Sequence, residues 1–132
     1  MGEFRLSKRS KNNREGVDSR LIEISDRAIQ ITRVDFGVPG GGGLRTAEYQ
    51  NGLFILGKSK ADGYDKIGKH QTGKALDFYA YVNGGATWEP EYMAQVACAH
   101  MQAAMELGYT ITWGGLWVSL VDMPHIQLAG DT

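Results

Sequence analysis

The stretch Lys69-His70-Gln71-Thr72-Gly73-Lys74-Ala75-Leu76-Asp77 decides how this chain folds. Residues 75–81 are apolar and aromatic around a single acid, Asp77, and the turn residues Asn83-Gly84-Gly85 follow. That pattern predicts a strand over 75–81 closed by a tight turn. On a strand, Asp77 shares a face with Ala75 and Tyr79, while Leu76 and Phe78 point the other way. A lone acid among apolar neighbours needs a partner or a metal. Working outward, Asp122-Met123-Pro124-His125 opens a second short strand over 124–128. Pro124 is tolerated there only at the first position or on an edge. If the two strands are neighbours, Asp77 and His125 face one point, and His70 arrives from the loop before the first strand. Two imidazoles and a carboxylate can hold Zn²⁺ and leave a fourth position for water. Asp122 lies at most ~10 Å from His125 along an extended chain. It can take that water's proton.

The rest of the chain reads as two main helices and short strands. Val17, Leu21, Ile24, Ala28 and Ile31 form one helical face, with Asp18 as its N-cap. Phe36 and Val38 alternate like a short strand. Gly40 to Gly43 permit tight backbone but are not a phosphate loop, because no Gly-Lys-Ser/Thr follows. A short helix is expected from about Thr46 to Leu56, then a charged, glycine-containing loop over 57–69. Thr87 is expected to start the clearest helix, with Glu89, Pro90 and Glu91 in its first turn. Met93, Val96, Ala97, Met101, Ala104 and Leu107 form its predicted buried stripe, and Gly108 ends it. Tyr109 to Trp113 is a further strand, followed by a Gly114-Gly115 turn. The absence of βαβ alternation predicts an α+β fold: a small antiparallel sheet carrying the zinc site, with two main helices packed on it.

With 132 residues, the chain is expected to form a single catalytic domain over 1–132. Hydrophobic residues make up 42% and charged residues 22%, which excludes a disordered chain. The net charge of -1 provides no global basic field, so no nucleic-acid partner is expected. Arg5, Lys8, Arg9, Lys11 and Arg14 concentrate positive charge in residues 1–15. These read as an irregular, solvated basic arm, with weak contact to an anionic polymer as the alternative. Cys98 is the only cysteine, so an intrachain disulfide is impossible. No signal peptide or membrane-spanning stretch is visible, and no membrane insertion is expected. Met1-Gly2 begins like a myristoylation site, but Leu6 stands where Ser or Thr is required.

Single residues carry weaker meanings. His100 lies mid-helix without ligand spacing and reads as structural. Cys98 and His100 do not share a helix face and are no metal pair. Arg45 can meet a substrate carboxylate or a developing oxyanion, or it can pair with Glu48 on a helix surface. Trp113 and Trp117 read as packing or rim residues.

Taken together, the motifs resemble a family. His70-Gln71-Thr72-Gly73-Lys74-Ala75-Leu76-Asp77 resembles the His-x-x-Gly-x-Ala-x-Asp motif of the LAS-type zinc peptidases, and Asp122-Met123-Pro124-His125 their Asp/Glu-x-x-His element. Gly43-Leu44-Arg45-Thr46 is similar to the Gly-x-Arg-Thr segment of the D-alanyl-D-alanine carboxypeptidase branch. Order and spacing match from about Phe4 to Leu128. The resemblance implies one Zn²⁺ on His70, Asp77 and His125, Asp122 as catalytic base and Arg45 polarising or anchoring the substrate. Gly68 departs from the Ser that the family often places two residues before the first histidine; that bears on support of the site. Size and wording are most similar to phage endolysins that cut the L-alanyl-D-glutamate bond of the peptidoglycan stem peptide. Such a protein is expected as a monomer, waiting in the cytoplasm of the infected host for holin-mediated release to the wall of a Gram-negative host. A D,D-carboxypeptidase or dipeptidase releasing terminal D-Ala, and a non-enzymatic zinc-containing binding domain, stay open at this point. Retention of Asp122 and Arg45 argues against the last.

Overall fold

Burial of two helical faces against each other organises the chain. The computed structural model describes residues 3–130; Met1-Gly2, where the myristoylation motif was weighed, lie outside them. The chain runs α1 (Lys8–Asn13), α2 (Ser19–Ile31), β1 (Asp35–Gly37), α3 (Ala47–Ile55), β2 (Ala75–Asp77), β3 (Tyr79–Val82), β4 (Gly85–Thr87), α4 (Pro90–Leu107), β5 (Ile111–Trp113) and β6 (His125–Leu128). In α2, Asp18 accepts the Arg20 backbone N–H as N-cap. Pro90 stands in the first turn of α4, and Gly108 closes it with φ 80°. The two long helices pack together, and α4 lies against β3 and β5. Leu21, Ile24 and Ala28 of α2 share one core cluster with Met93, Val96 and Ala97 of α4, all fully buried. Each large apolar side chain contributes about 1.5–3 kcal/mol by leaving water. Among the described residues no helix is long and apolar enough to cross a membrane.

The fold is α+β with antiparallel pairing, as expected, but the strands form two sheets rather than one. Their orders are β1-β3-β4 and β2-β6-β5. The predicted strand over 75–81 is divided at Phe78. The Asp77 N–H bonds to Gly42 O at 2.7 Å, and the Phe78 N–H bonds to Pro124 O at 2.9 Å. Ladder bonding therefore ends after Asp77 and resumes in the other sheet at Tyr79. The side-chain alternation survives the division: Leu76, Phe78 and Ala80 are all fully buried. Asn83 and Gly84, at φ 53° and 80°, make the two-residue turn between β3 and β4.

Three other expectations change. Thr87 does not start a helix; it ends β4, paired with Ala80, and Glu89 occupies the N-cap position of α4. The buried stripe of α4 runs through His100 and Ala103, while Leu107 is exposed and Met101 only half-buried. The spacing Met93, Val96, Ala97, His100, Ala103 and Ala104 follows the helical period, with a polar residue on the apolar face. Within residues 3–15, finally, the chain is not irregular, although Arg5, Lys8, Arg9 and Lys11 are exposed as expected. Ser7 caps α1 by accepting the Ser10 N–H, and Leu6 and Ser10 are buried. Arg14 is buried too, bonded to Ser25 Oγ at 2.6 Å and paired with Asp26 at 2.7 Å.

Candidate metal centre

His70 sits in a 3₁₀ turn, Lys69–Thr72, that ends at Gly73 with φ 74°. A left-handed residue is needed there, and a Cβ would stand 3.0 Å from Gly16 O. The turn is moored to the start of α2: the Asp18 N–H bonds to Gly73 O at 2.9 Å, and Lys74 Nζ reaches Asp18 Oδ2 at 2.9 Å. His125 lies directly across the ladder from Asp77, in the register Ala75 to Gln127, Leu76 to Ile126, Asp77 to His125. The strand alternation that placed Asp77 and His125 toward one point is therefore realised by neighbouring antiparallel strands.

Three side-chain atoms converge. His70 Nε2 is 3.1 Å from Asp77 Oδ1 and 3.2 Å from His125 Nδ1, and His125 Nδ1 is 3.2 Å from Asp77 Oδ1. Ligand atoms on a tetrahedral zinc stand roughly 3.3 Å apart, given bonds of about 2.0–2.1 Å. The far side of each ring is already committed. His70 Nδ1 donates to Gly43 O at 2.9 Å, and His125 Nε2 donates to Gln127 Oε1 at 2.8 Å. A neutral imidazole with its proton so placed turns a lone pair to the centre. Two lone pairs and a carboxylate oxygen thus meet at one point with no hydrogen between them, an arrangement that a cation stabilises. The three residues form a group able to hold a metal ion. The ring tethers are of the kind that orient metal-bound histidines. Burial opposes ionisation of Asp77, but positive charge at this point, whether on the His125 and His70 rings or on a cation in their place, holds the carboxyl well below the usual range.

Arg45 closes the other side of Asp77. Its Nη2 donates to Asp77 Oδ2 at 3.2 Å, its Nε to Gly41 O at 2.7 Å and its Nη1 to Gln50 Oε1 at 3.2 Å. A guanidinium has five N–H groups, so two are left for another acceptor. Arg45 pairs with Asp77 rather than with Glu48 on the helix surface. Gln50 was not singled out by sequence. It is fully buried and donates to Ser59 Oγ and Ala61 O while accepting from Arg45. A glutamine one turn into a helix gives no signal of that role, because its partners are remote in sequence. It also accounts for Gly68: a Cβ there would stand 3.2 Å from Gln50 Oε1.

Asp122 stands beside the triad rather than in it. Its Oδ2 is 3.9 Å from His125 Nδ1, and its side chain is 45% exposed. The Asp122 N–H bonds to Gly114 O at 3.0 Å, and a side chain at Gly114 would run into the Asp122 carbonyl, so the Gly114-Gly115 segment fixes this loop. Burial first, and then the negative charge of Asp77, raise the Asp122 carboxyl above its ordinary value, against the pull of His125, His70 and Arg45. Trp117 packs 5.2 Å from the His125 ring, while Trp113 donates to Met123 O and packs against the core. His100 is remote from the centre in function: it stacks on Phe78 at 4.8 Å and donates from Nδ1 to Val96 O. Its Nε2 is the one buried side-chain polar atom without a partner among the described residues.

His70, His125, Arg45, Gln50 and Asp122 line a cleft of ≈ 570 Å³. The family described as phage L-alanyl-D-glutamate peptidase matches residues 1–128. The L-alanyl-D-glutamate peptidase of Escherichia phage T5 is 31% identical over 115 residues, covering 86% of this chain and 82% of the relative. The crystal structure of the Serratia marcescens L-Ala D-Glu endopeptidase ChiX matches with a TM-score of 0.85 and 35% identity, covering 96% of this chain and 92% of that one. The chain belongs to the phage L-alanyl-D-glutamate peptidase family.

Proposed function

We propose that this chain is a zinc-dependent peptidoglycan hydrolase, an endolysin that cuts the L-alanyl-D-glutamate bond of the stem peptide. The carrying observation is the meeting of three acceptor atoms, His70 Nε2, Asp77 Oδ1 and His125 Nδ1, at 3.1–3.2 Å with their outer hydrogen bonds already made. Two nitrogens and one carboxylate oxygen suit zinc, with a fourth position open to the cleft. Zinc held there supplies Lewis acidity and lowers the pKa of water. The names of the phage and Serratia relatives support the choice of bond.

The chain's own residues divide the remaining work. Asp122, beside the centre and open to the cleft, takes a proton from the attacking water and returns it to the leaving amine of D-glutamate. Its raised pKa suits that exchange better than that of an ordinary aspartate. Arg45 fixes Asp77 and offers its two spare N–H groups to the carbonyl oxygen as negative charge develops on it. The relationship to a phage enzyme supports synthesis in the cytoplasm of an infected host, followed by holin-mediated release to the wall, where a monomer suffices. The test is digestion of purified wall by the zinc-loaded protein, with fragments read by mass spectrometry. The expected fragments begin at D-glutamate and leave L-alanine on the muramic acid side. Free D-alanine as the sole product would overturn this reading in favour of a carboxypeptidase.

A further inference from the structure

The cleft has two unlike walls. Trp117, Leu120 and Val121 form an apolar one beside Asp122. Lys58, Lys60 and Lys66, from the segment between α3 and the His70 turn, stand on the lining of the same cleft, and Lys69, in that turn, adds a fourth cation. All four are exposed, and among the described residues none forms an ion pair with a carboxylate. Arg14, Arg20, Arg27, Arg45 and Lys74 do form such pairs. The segment that bears the lysines is held in place. Asp62 Oδ1 accepts the backbone N–H groups of Tyr64, Asp65 and Lys66 at 2.9–3.0 Å. Asn51 Nδ2 donates to Asp62 O, and Gln71 Nε2 donates to Gly63 O. The acids of this segment, Asp62 and Asp65, are not part of the cleft lining. Unpaired cations on a fixed wall of the cleft that carries the candidate metal centre are a recognition feature for an anionic substrate.

We propose that Lys58, Lys60 and Lys66 form an anion-reading wall that selects stem peptides whose D-glutamate keeps its second carboxyl group free, over stem peptides in which that group is amidated. The proposal rests on the reading of the chain as an L-alanyl-D-glutamate endopeptidase. A glutamate joined through its amine to L-alanine has two carboxyl groups; one extends the peptide and the other remains. Left free, it is an anion on the leaving side of the scissile bond; amidated, it is neutral. Lysine ammonium groups act as flexible point charges that need no planar partner, which suits a carboxylate reached through solvent. Exposed lysine–carboxylate pairs are worth roughly two- to fivefold each, and lysines that share one carboxylate reach only the low end of their combined effect, about tenfold discrimination. This charge contact forms in the ground state, so it acts on KM more than on kcat.

The experiment uses the full-length, zinc-loaded protein and two soluble synthetic stem peptides that differ only in a free or amidated D-glutamate carboxyl. The wild type is expected to favour the free acid about tenfold in kcat/KM, mainly through KM, and less as salt screens the charges. In a Lys58→Gln, Lys60→Gln, Lys66→Gln variant the preference should fall to about twofold, the share left to Lys69, and the three corresponding Arg substitutions should restore it. Zinc content and thermal midpoint verify that each variant is folded. Equal cleavage of both peptides by the wild type, or an undiminished preference in the glutamine variant, overturns the proposal and leaves the endopeptidase reading standing. A glutamine variant weakened only on intact wall, with both soluble peptides unaffected, assigns the lysines to a wall polymer and overturns it too. Failure of the wild type to cut either peptide overturns the endopeptidase reading, and the lysine wall with it.

Discussion

Replacing His100 by leucine should remove an acid sensitivity that the fold carries in its core. His100 is fully buried, stacked on Phe78 and 4.7 Å from the Phe36 ring, with Nε2 unpartnered. Burial lowers its pKa from the ordinary 6.5 to about 4, against the hydrogen bond to Val96 O. Between those values the unfolded chain holds a proton that the folded chain refuses. Stability from this group is therefore full above pH 6.5, falls as the pH drops through that window and is exhausted below about 4. That gap, at about 1.4 kcal/mol for each tenfold change in proton affinity, amounts to about 3 kcal/mol. At pH 7, His100→Leu loses one hydrogen bond and the ring contacts but also removes an orphaned acceptor. The net change there should stay within about 1 kcal/mol. The assay is urea unfolding followed by tryptophan fluorescence at pH 7 and pH 4.5, with a chelator present throughout so that metal release does not contribute. Between the two conditions the wild type should lose about 2–3 kcal/mol more than the variant, a relative midpoint shift on the order of 1 M urea. Parallel losses, within about 0.5 kcal/mol, would mean that His100 gains a proton while folded and that its burial does not keep it neutral.

His125→Ala should lose most bound zinc; stoichiometric metal by elemental analysis in that variant would remove His125 from the ligand set. Asp122→Asn should keep metal and fold while turnover falls roughly 10²-fold or more, as for a positioned base. In the wild type the acid limb of kcat/KM should lie above the ordinary aspartate value, because Asp122 must be ionised to act and its pKa is raised; a limb at or below that value would count against Asp122 as the base. Arg45→Lys should lower kcat by withdrawing the spare N–H groups and should weaken zinc binding roughly 10-fold or more by releasing Asp77, as measured by chelator competition; unchanged zinc affinity would show that the contact with Asp77 does not tune the centre.

The parts of this site that the sequence disclosed are those governed by short-range rules. Strand alternation brought Asp77 and His125 to one face, and the ladder register then set them opposite each other. The caps at Asp18 and Gly108 and the turn at Asn83-Gly84 were visible because each needs a particular residue type at a particular place. What was hidden depends on partners far along the chain. The division at Phe78 arises because Gly42 and Pro124 carbonyls claim the backbone N–H groups there. Thr87, followed by Glu89 and Pro90, carried helix-start chemistry, yet pairing with Ala80 holds it in a strand. Helix α1 has only six residues, too few for a helical period to stand out from a run of charges. Gln50 acquires its role solely from Arg45 and a loop beyond its own helix.

The glycine-rich segment and the N-terminal helix take their meaning from the candidate metal centre. Gly43 O orients the His70 ring, Gly42 O binds the Asp77 backbone, and Gly41 O fixes Arg45. Three successive carbonyls therefore hold two candidate ligands and the arginine between them. A side chain at Gly43 would run into the Asn13 carbonyl, at the end of α1, and Asn13 Nδ2 in turn bonds to Val38 O. The glycines permit close backbone approach on both sides: ligands on one, α1 on the other. A stretch that composition describes as a basic arm thus packs as the outer support of the segment that aims the ligands. Arg14 anchors that support through Ser25 and Asp26 of α2. Rigid aim suits the candidate ligands, whose lone pairs converge within a few tenths of an ångström, whereas Asp122, the proposed base, sits on a loop open to the cleft.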